Sequence, residues 1–186
     1  ICSAPATEHA VEVLVDITPQ GLGTKYLSAI EPGTKVEFMA PVGQFVIAEQ
    51  DTPIGAVEKS LVFIATGSGI APFKGILEDL LVTKNDQRPI VLYWGLRHAQ
   101  DQFWFDELTQ LAEQHQNFTF HPTLSQAPEG WHLCRGRVTD CLMVHPQPVE
   151  QAGYYLCGNS AMINDVKQLL GTQHVPAEHI HYEKFY

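Results

Sequence analysis

Apolar and polar positions follow two regimes along the chain, and the change falls at Leu61. Leu61-Val62-Phe63-Ile64-Ala65 is too short for a helix and is followed by glycines, so it reads as a strand buried on both faces. A helix is then expected from about Ala71 to Thr83, a strand from Pro89 to Gly95, a helix from about Asp101 to His115 and a strand from Phe118 to Leu124. Gln126 to Arg135, with Pro128, Gly130 and Trp131, reads as a loop. A short helix near Val138 to Val144 precedes a strand at Tyr154 to Gly158, a helix from about Ser160 to Leu170, and a fifth strand at His179 to Phe185. Strands alternating with crossover helices predict an α/β fold: a five-stranded parallel sheet, doubly wound, with helices on both faces.

Before Leu61 the pattern is one of short β-branched runs broken by Pro and Gly. Strands are expected at Val11 to Ile17, Lys35 to Met39 and Gln44 to Ala48, with turns at Pro19 to Gly23, Pro32-Gly33 and Pro41-Val42-Gly43. Such spacing predicts part of a small antiparallel β-barrel. Thr24 opens a helical or extended stretch through Leu27 and can cap it, while Gly21 and Gly23 offer a second place where backbone amides face an anion or form a plain capped turn. Residues 49–60 lack periodicity and read as a linker, which divides the chain into units 1–60 and 61–186.

Composition narrows the partners. The 186 residues are 45% hydrophobic, enough for a sizeable core, and the formal charge of −10 argues against nucleic acid or an anionic membrane surface. No apolar run approaches the roughly 20 residues that span a bilayer, and no signal segment opens the chain, so a cytoplasmic location is the expectation. Cys2, Cys134, Cys141 and Cys157 form no Cys-x-x-Cys pair; reduced thiols and no metal site are expected. The chain opens on Ile1, as if inside an element, and an upstream part is expected.

In an open α/β sheet, ligands bind beyond the carboxyl ends of the strands, where the winding reverses. Those ends carry Thr66-Gly67-Ser68-Gly69, Gly95 with Arg97, Ser125 with Gln126, Cys157-Gly158-Asn159, and Glu183 onward. Gly67-Ser68-Gly69 before a helix bearing Pro72 is either a phosphate cradle or a structural turn. It lacks the lysine and hydroxyl pair of a nucleoside-triphosphate loop. Arg97 and Arg137 suit an adenosine phosphate but also suit surface ion pairs. Cys157 and Met162 read locally as packing residues, with no neighbouring cation to activate the thiol. The aromatic terminus, Tyr182 with Phe185-Tyr186, either stacks on a flat ligand or clasps the core.

Taken together, these motifs resemble the ferredoxin-NADP reductase superfamily over essentially the whole chain. Thr66-Gly67-Ser68-Gly69-Ile70-Ala71-Pro72 is similar to its nicotinamide-nucleotide loop, Gly21-Leu22-Gly23-Thr24 to its FAD pyrophosphate loop, Cys157-Gly158-Asn159 with Met162 to its Cys-Gly motif, and Glu183-Lys184-Phe185 to its acidic-x-aromatic ending. The resemblance implies FAD and NAD(P)H as cofactors, with Thr66, Cys157 and Glu183 at the reacting rings and Phe185 with Tyr186 over the flavin. It implies NAD(P) contacts from Gly67, Ser68, Gly69, Arg97, Ser125, Gln126, Arg137, Gly158, Asn159 and Met162. Ile1-Cys2-Ser3 would follow the family's Arg-x-Tyr-Ser flavin motif, which is absent here together with the preceding strands, so residues 1–60 would be the second half of a flavin-binding barrel. Gln126 stands where NADP-specific members commonly carry arginine, which leaves the coenzyme preference open. The implied reaction moves hydride from NAD(P)H to FAD and electrons on to ferredoxin, flavodoxin, an oxygenase component or free flavin. An upstream iron-sulfur cysteine cluster would point to an oxygenase partner. The other reading is a non-catalytic nucleotide-binding or regulatory subunit of the same fold.

Overall fold

The computed structural model describes residues 1–17, 21–39, 42–48, 58–147 and 151–185. Among these, the strands β1 (Ser60–Thr66), β2 (Ile90–Leu96), β3 (Phe118–Leu124), β4 (Cys134–Arg135), β5 (Ala152–Gly158) and β6 (Ile180–Lys184) form one parallel sheet, ordered β4-β3-β2-β1-β5-β6. The helices are α1 (Leu22–Ala29), α2 (Ala71–Leu77), α3 (Phe105–Gln114), α4 (Val138–Val144) and α5 (Ser160–Thr172). A tight 3-10 turn, Gly67–Ile70, leads into α2, and a π-helical turn, Glu78–Thr83, follows it.

Continuous apolar strands are buried on both faces because alternate side chains serve two separate cores. Leu61, Phe63 and Ala65 of β1 face one side, where Ile70, Phe73 and Leu77 cover them, and Phe63 stacks on Phe73 at 5.0 Å. Val62 and Ile64 face the other side, under Cys141 and Leu142 of α4 and Ile163 and Val166 of α5. From β1 the chain winds outward to β4, then returns across β1 to lay down β5 and β6. The reversal therefore lies between β1 and β5.

Two expectations for this part of the chain are corrected. The stretch read as a loop holds a sixth strand, β4, paired with β3 only at Thr123↔Cys134 and Leu124↔Arg135. Two residues are too few to leave a periodic signature. Cys134 and Cys141 were expected as thiols, yet they are joined as a disulfide with their Cα atoms 5.6 Å apart, because β4 and α4 face each other across a tight turn. Cys2 and Cys157 are free and buried.

The early segment departs further. Among the described residues before Ser60 no strand is paired, so the expected barrel strands at Val11 to Ile17, Lys35 to Met39 and Gln44 to Ala48 are not formed. A strand exists through its ladder, and Val13, Phe38 and Val46 are instead exposed. Residues 22–29 form α1, with Gly21 as its N-cap; Thr24 sits inside the first turn and its hydroxyl donates to the Asp16 carbonyl at 3.3 Å, so it is not the cap. The segment is held to the sheet by Phe45, whose ring meets Phe73 and Tyr155 edge-on, and by the Ala48 N–H, which donates to the Tyr155 hydroxyl at 2.9 Å. The turn residues Pro19 and Pro41, most of the 49–60 linker and Tyr186 lie outside the described residues.

Candidate functional site

The carboxyl ends of β1, β2, β3 and β5 open into a crevice of about 1260 Å³. Its wall on the β1 side is built by Thr66, Gly67 and Ser68, and on the β5 side by Asn159, Ala161 and Met162. Gly95, Arg97, Ser125, Gln126 and Arg137 close the far end. Ten of the residues singled out from the sequence therefore come together here, at the winding reversal where such sheets bind ligands.

Backbone contact between two turns sets the geometry. A Cβ on Gly69 would lie 2.6 Å from the Cys157 carbonyl carbon and 2.8 Å from the Gly158 Cα, so only glycine lets the β1 turn touch the end of β5. Gly158 has φ +143° and a Cβ there would run into the Thr66 hydroxyl. That hydroxyl accepts from the Asn159 side-chain amide at 3.1 Å, and the Asn159 side-chain oxygen Oδ1 in turn caps α5 by accepting from Met162 N–H at 2.8 Å. Thr66, Asn159 and Met162 are thus one hydrogen-bonded unit across the crevice. From below, the Trp94 indole donates to the Gly67 carbonyl at 3.0 Å and fixes the turn.

The remaining sequence candidates lie around this unit. Cys157 is fully buried beneath Gly69, and burial together with the nearby Glu183 charge pushes its thiol up to about 12. It stays protonated at neutral pH, so thiolate chemistry is not on offer. Glu183 is exposed on the edge strand β6, where its backbone pairs with Cys157. Phe185 is 40% exposed, and its N–H donates to the Gly158 carbonyl at 3.2 Å. Arg137 pairs with Asp165 at 3.2 Å on the exposed rim, a contact of little energetic worth. Arg97 is exposed and has no ion pair among the described residues.

Other candidates are placed elsewhere. Ile1 is exposed, while Cys2 and Ser3 lie against α2, where the Ser3 carbonyl oxygen would stand 2.5 Å from a Cβ on Gly75. Gly21, Leu22, Gly23 and Thr24 form the start of α1, with Leu22 almost wholly exposed. None of these seven lines the crevice.

Several lining residues escaped the sequence reading. Trp94 looks like one more apolar residue in a buried strand, and nothing in its neighbours betrays the indole's partner. His98 and Asp101 close a capping box ahead of α3, with the His98 N–H donating to the Asp101 carboxylate at 3.0 Å. Their three-residue spacing was legible. Phe103 and residues 14–17 complete the wall. Outside the crevice, His121, Cys134, Cys141 and His145 converge, against the expectation of no metal-ligating set.

Comparison with known proteins agrees with this arrangement. The oxidoreductase NAD-binding domain family matches residues 63–168. The chain is 32% identical, over 97% of its length and 51% of the relative's, to the anthranilate 1,2-dioxygenase electron transfer component of Acinetobacter baylyi. It is 33% identical, over 81% of its length and 38% of the relative's, to a subunit of the Na(+)-translocating NADH-quinone reductase of Klebsiella pneumoniae. Among solved structures, the flavohem-like FAD/NAD-binding domain of nitric oxide dioxygenase from Vibrio cholerae superposes with a TM-score of 0.70 at 25% identity, over 89% of this chain and 65% of that one. The chain spans about half or less of the length of these curated relatives. No helix among the described residues is long and apolar enough to cross a membrane. With a parallel sheet wound in both directions, a glycine turn after its first strand and the matched span running from β1 into α5, the chain belongs to the oxidoreductase NAD-binding domain family.

Proposed function

We propose that this chain is the nicotinamide-binding part of a flavin-dependent NAD(P)H reductase that delivers electrons to a protein acceptor. The observation that carries the reading is the crevice at the β1/β5 reversal, bounded by a glycine-built turn and two arginines. The functions of the relatives, an oxygenase electron transfer component and part of an NADH-quinone reductase, support a reductase over a non-catalytic protein of the same fold.

The residues present fit a dinucleotide. Gly67 leaves open space where a side chain would stand, and the turn it opens has N–H groups without intrahelical partners. Arg97 and Arg137 supply positive charge for an adenosine phosphate, with Arg137 exchanging Asp165 for the ligand. Thr66 and Asn159 present a preformed polar edge to the nicotinamide. When both coenzymes are bound, the chemistry supplied is hydride transfer from nicotinamide to flavin followed by electron release to the acceptor. Cys157, neutral and buried beneath Gly69, supports the turn from behind the crevice, and Glu183, exposed on β6, tunes the polarity on the flavin side. Phe185, tethered to Gly158, is the aromatic cover for the flavin side. Residues 1–60 form the flavin-binding unit of this reading, with Ile1, Cys2, Ser3 and Gly21 to Thr24 as its contacts. An oxygenase component is the favoured acceptor and the cytoplasm the favoured location.

The test uses the full encoded protein. It should purify yellow and bleach on addition of NADH or NADPH, and rapid-mixing kinetics with each nicotinamide would define the preference. Cys157→Ala should slow flavin reduction while leaving the fold intact. A colourless protein that binds neither coenzyme would overturn the reading.

A further inference from the structure

Four side chains that play no part in the crevice meet at the outer edge of the sheet. His121 comes from β3, Cys134 from β4, Cys141 from α4, and His145 from the residue that ends α4. One ligating atom from each, two sulfurs and two imidazole nitrogens, lies within 4.8 Å of all the others. We propose that, with Cys134 and Cys141 as thiols, these residues are a Cys2His2 site for a tetrahedral divalent cation of the zinc class.

A disulfide would need only the two cysteines. It gives no reason for two imidazoles from separate elements to stack at 4.5 Å beside the sulfurs, with no hydrogen bond to either ring among the described residues. Zinc bonds of about 2.3 Å to sulfur and about 2.0 Å to nitrogen place tetrahedral ligands roughly 3.3–3.8 Å apart, so separated sulfurs and modest side-chain rotations complete the set. Two thiolates and two imidazoles select zinc over the hard cations, which take oxygen.

The surroundings are those of a supported site. Tyr93 stacks on His121 at 5.1 Å, and its hydroxyl donates to the His145 carbonyl. Gln147 donates to that hydroxyl at 2.8 Å and to the same carbonyl at 3.2 Å, which holds the backbone of His145. Cys141 is buried and His145 exposed, so the ion has a path in from solvent. Four protein ligands leave no open position, which makes the site structural.

The chain between Cys134 and Cys141 carries Gly136 and Arg137 on its other side, where they line the crevice. A cation at the edge would therefore pin the arginine-bearing turn from behind. On loading, both thiols lose their protons to solvent and the bound Zn²⁺ is neutralised by the two thiolates. If the pair is first oxidised, dithiothreitol supplies two electrons and two protons, closes its own disulfide and restores the thiols.

The test takes the full encoded protein without a polyhistidine tag, treated with dithiothreitol and then exchanged into zinc or cobalt under anaerobic conditions. One zinc per chain should be retained, and cobalt should give thiolate charge-transfer bands with the intense visible bands of a tetrahedral site. Cys141→Ser should abolish both signals. His145→Ala, at an exposed position that does not threaten the fold, should weaken binding by at least about 100-fold and alter the cobalt spectrum. Zinc should also protect Cys134 and Cys141, but not their counterparts in His145→Ala, from alkylation by iodoacetamide. Equal zinc retention and an unchanged cobalt spectrum in His145→Ala would overturn the proposal, as would reduced protein that takes up no zinc and recloses the disulfide. Neither outcome bears on coenzyme binding.

Discussion

The two ends of the same parallel strands are built on opposite principles. At the carboxyl end, β1 and β5 finish in glycine turns that touch through backbone, and the surface falls away into an open crevice. At the amino end, charged groups are drawn inward and satisfied. Glu58, 5% exposed, accepts from the Tyr155 hydroxyl at 2.8 Å and meets the His181 ring at 3.1 Å. Arg88 chelates Asp86 and donates to the Glu58 carbonyl, and the Asn117 amide bonds the Asp86 and Arg88 carbonyls. Polar groups locked at one end leave the other free to keep its donors for a ligand, so stability and binding should be separable by substitution.

The largest effect is expected from Glu58→Ala. It strips the hydrogen-bond acceptor from a buried phenol and should cost about 3 kcal/mol in urea unfolding, with coenzyme affinity of the folded protein unchanged. Gly69→Ala should come next, because the new methyl group meets backbone on β5; a loss of about 2 kcal/mol is expected, now with weakened nucleotide binding in calorimetry. Equal affinity in that variant would break the contrast between the ends. Arg97→Ala should leave the unfolding midpoint almost untouched and lower nucleotide affinity about tenfold, which titration calorimetry would read.

The smallest effect is a pH dependence confined to the closed end. Burial alone would raise the Asp86 carboxyl, but its bonds to Arg88 outweigh that and hold it below its ordinary 3.8. A carboxyl depressed on folding contributes stability above its unfolded value and loses it as pH falls through the folded one. Wild type should exceed Asp86→Asn in denaturant midpoint near neutrality, and the gap should close in acid below the ordinary carboxylate range. A gap that persists there would place the interaction elsewhere.

Legibility along the chain followed how local each determinant is. Apolar runs and glycine turns marked β1, β2, β3, β5 and β6, and the helix over Val138 to Val144 was bounded as found, because these elements declare themselves within a few residues. The crevice was readable once the strands were, since Thr66, Arg97, Ser125 and Asn159 occupy their ends. Residues 11–48 misled because β-branched runs predict a ladder only if a partner strand is present, and none is paired there among the described residues. The convergence of His121 with Cys134, Cys141 and His145 depends on β4 pairing with β3 and on α4 folding back. The sequence reading found no metal-ligand spacing among the cysteines, because three of the four residues meet only through these long-range pairings. Buried partners such as Trp94 for Gly67 were illegible because a strand pattern gives the face but not the hydrogen bond.

The indole of Trp94 offers an experimental handle. It is bonded to the turn proposed to receive the dinucleotide and lies edge-on to Phe103 of the crevice wall at 5.1 Å. The fold thus places a fluorophore one hydrogen bond away from the binding event, and occupancy of the crevice should register in its emission without any attached dye.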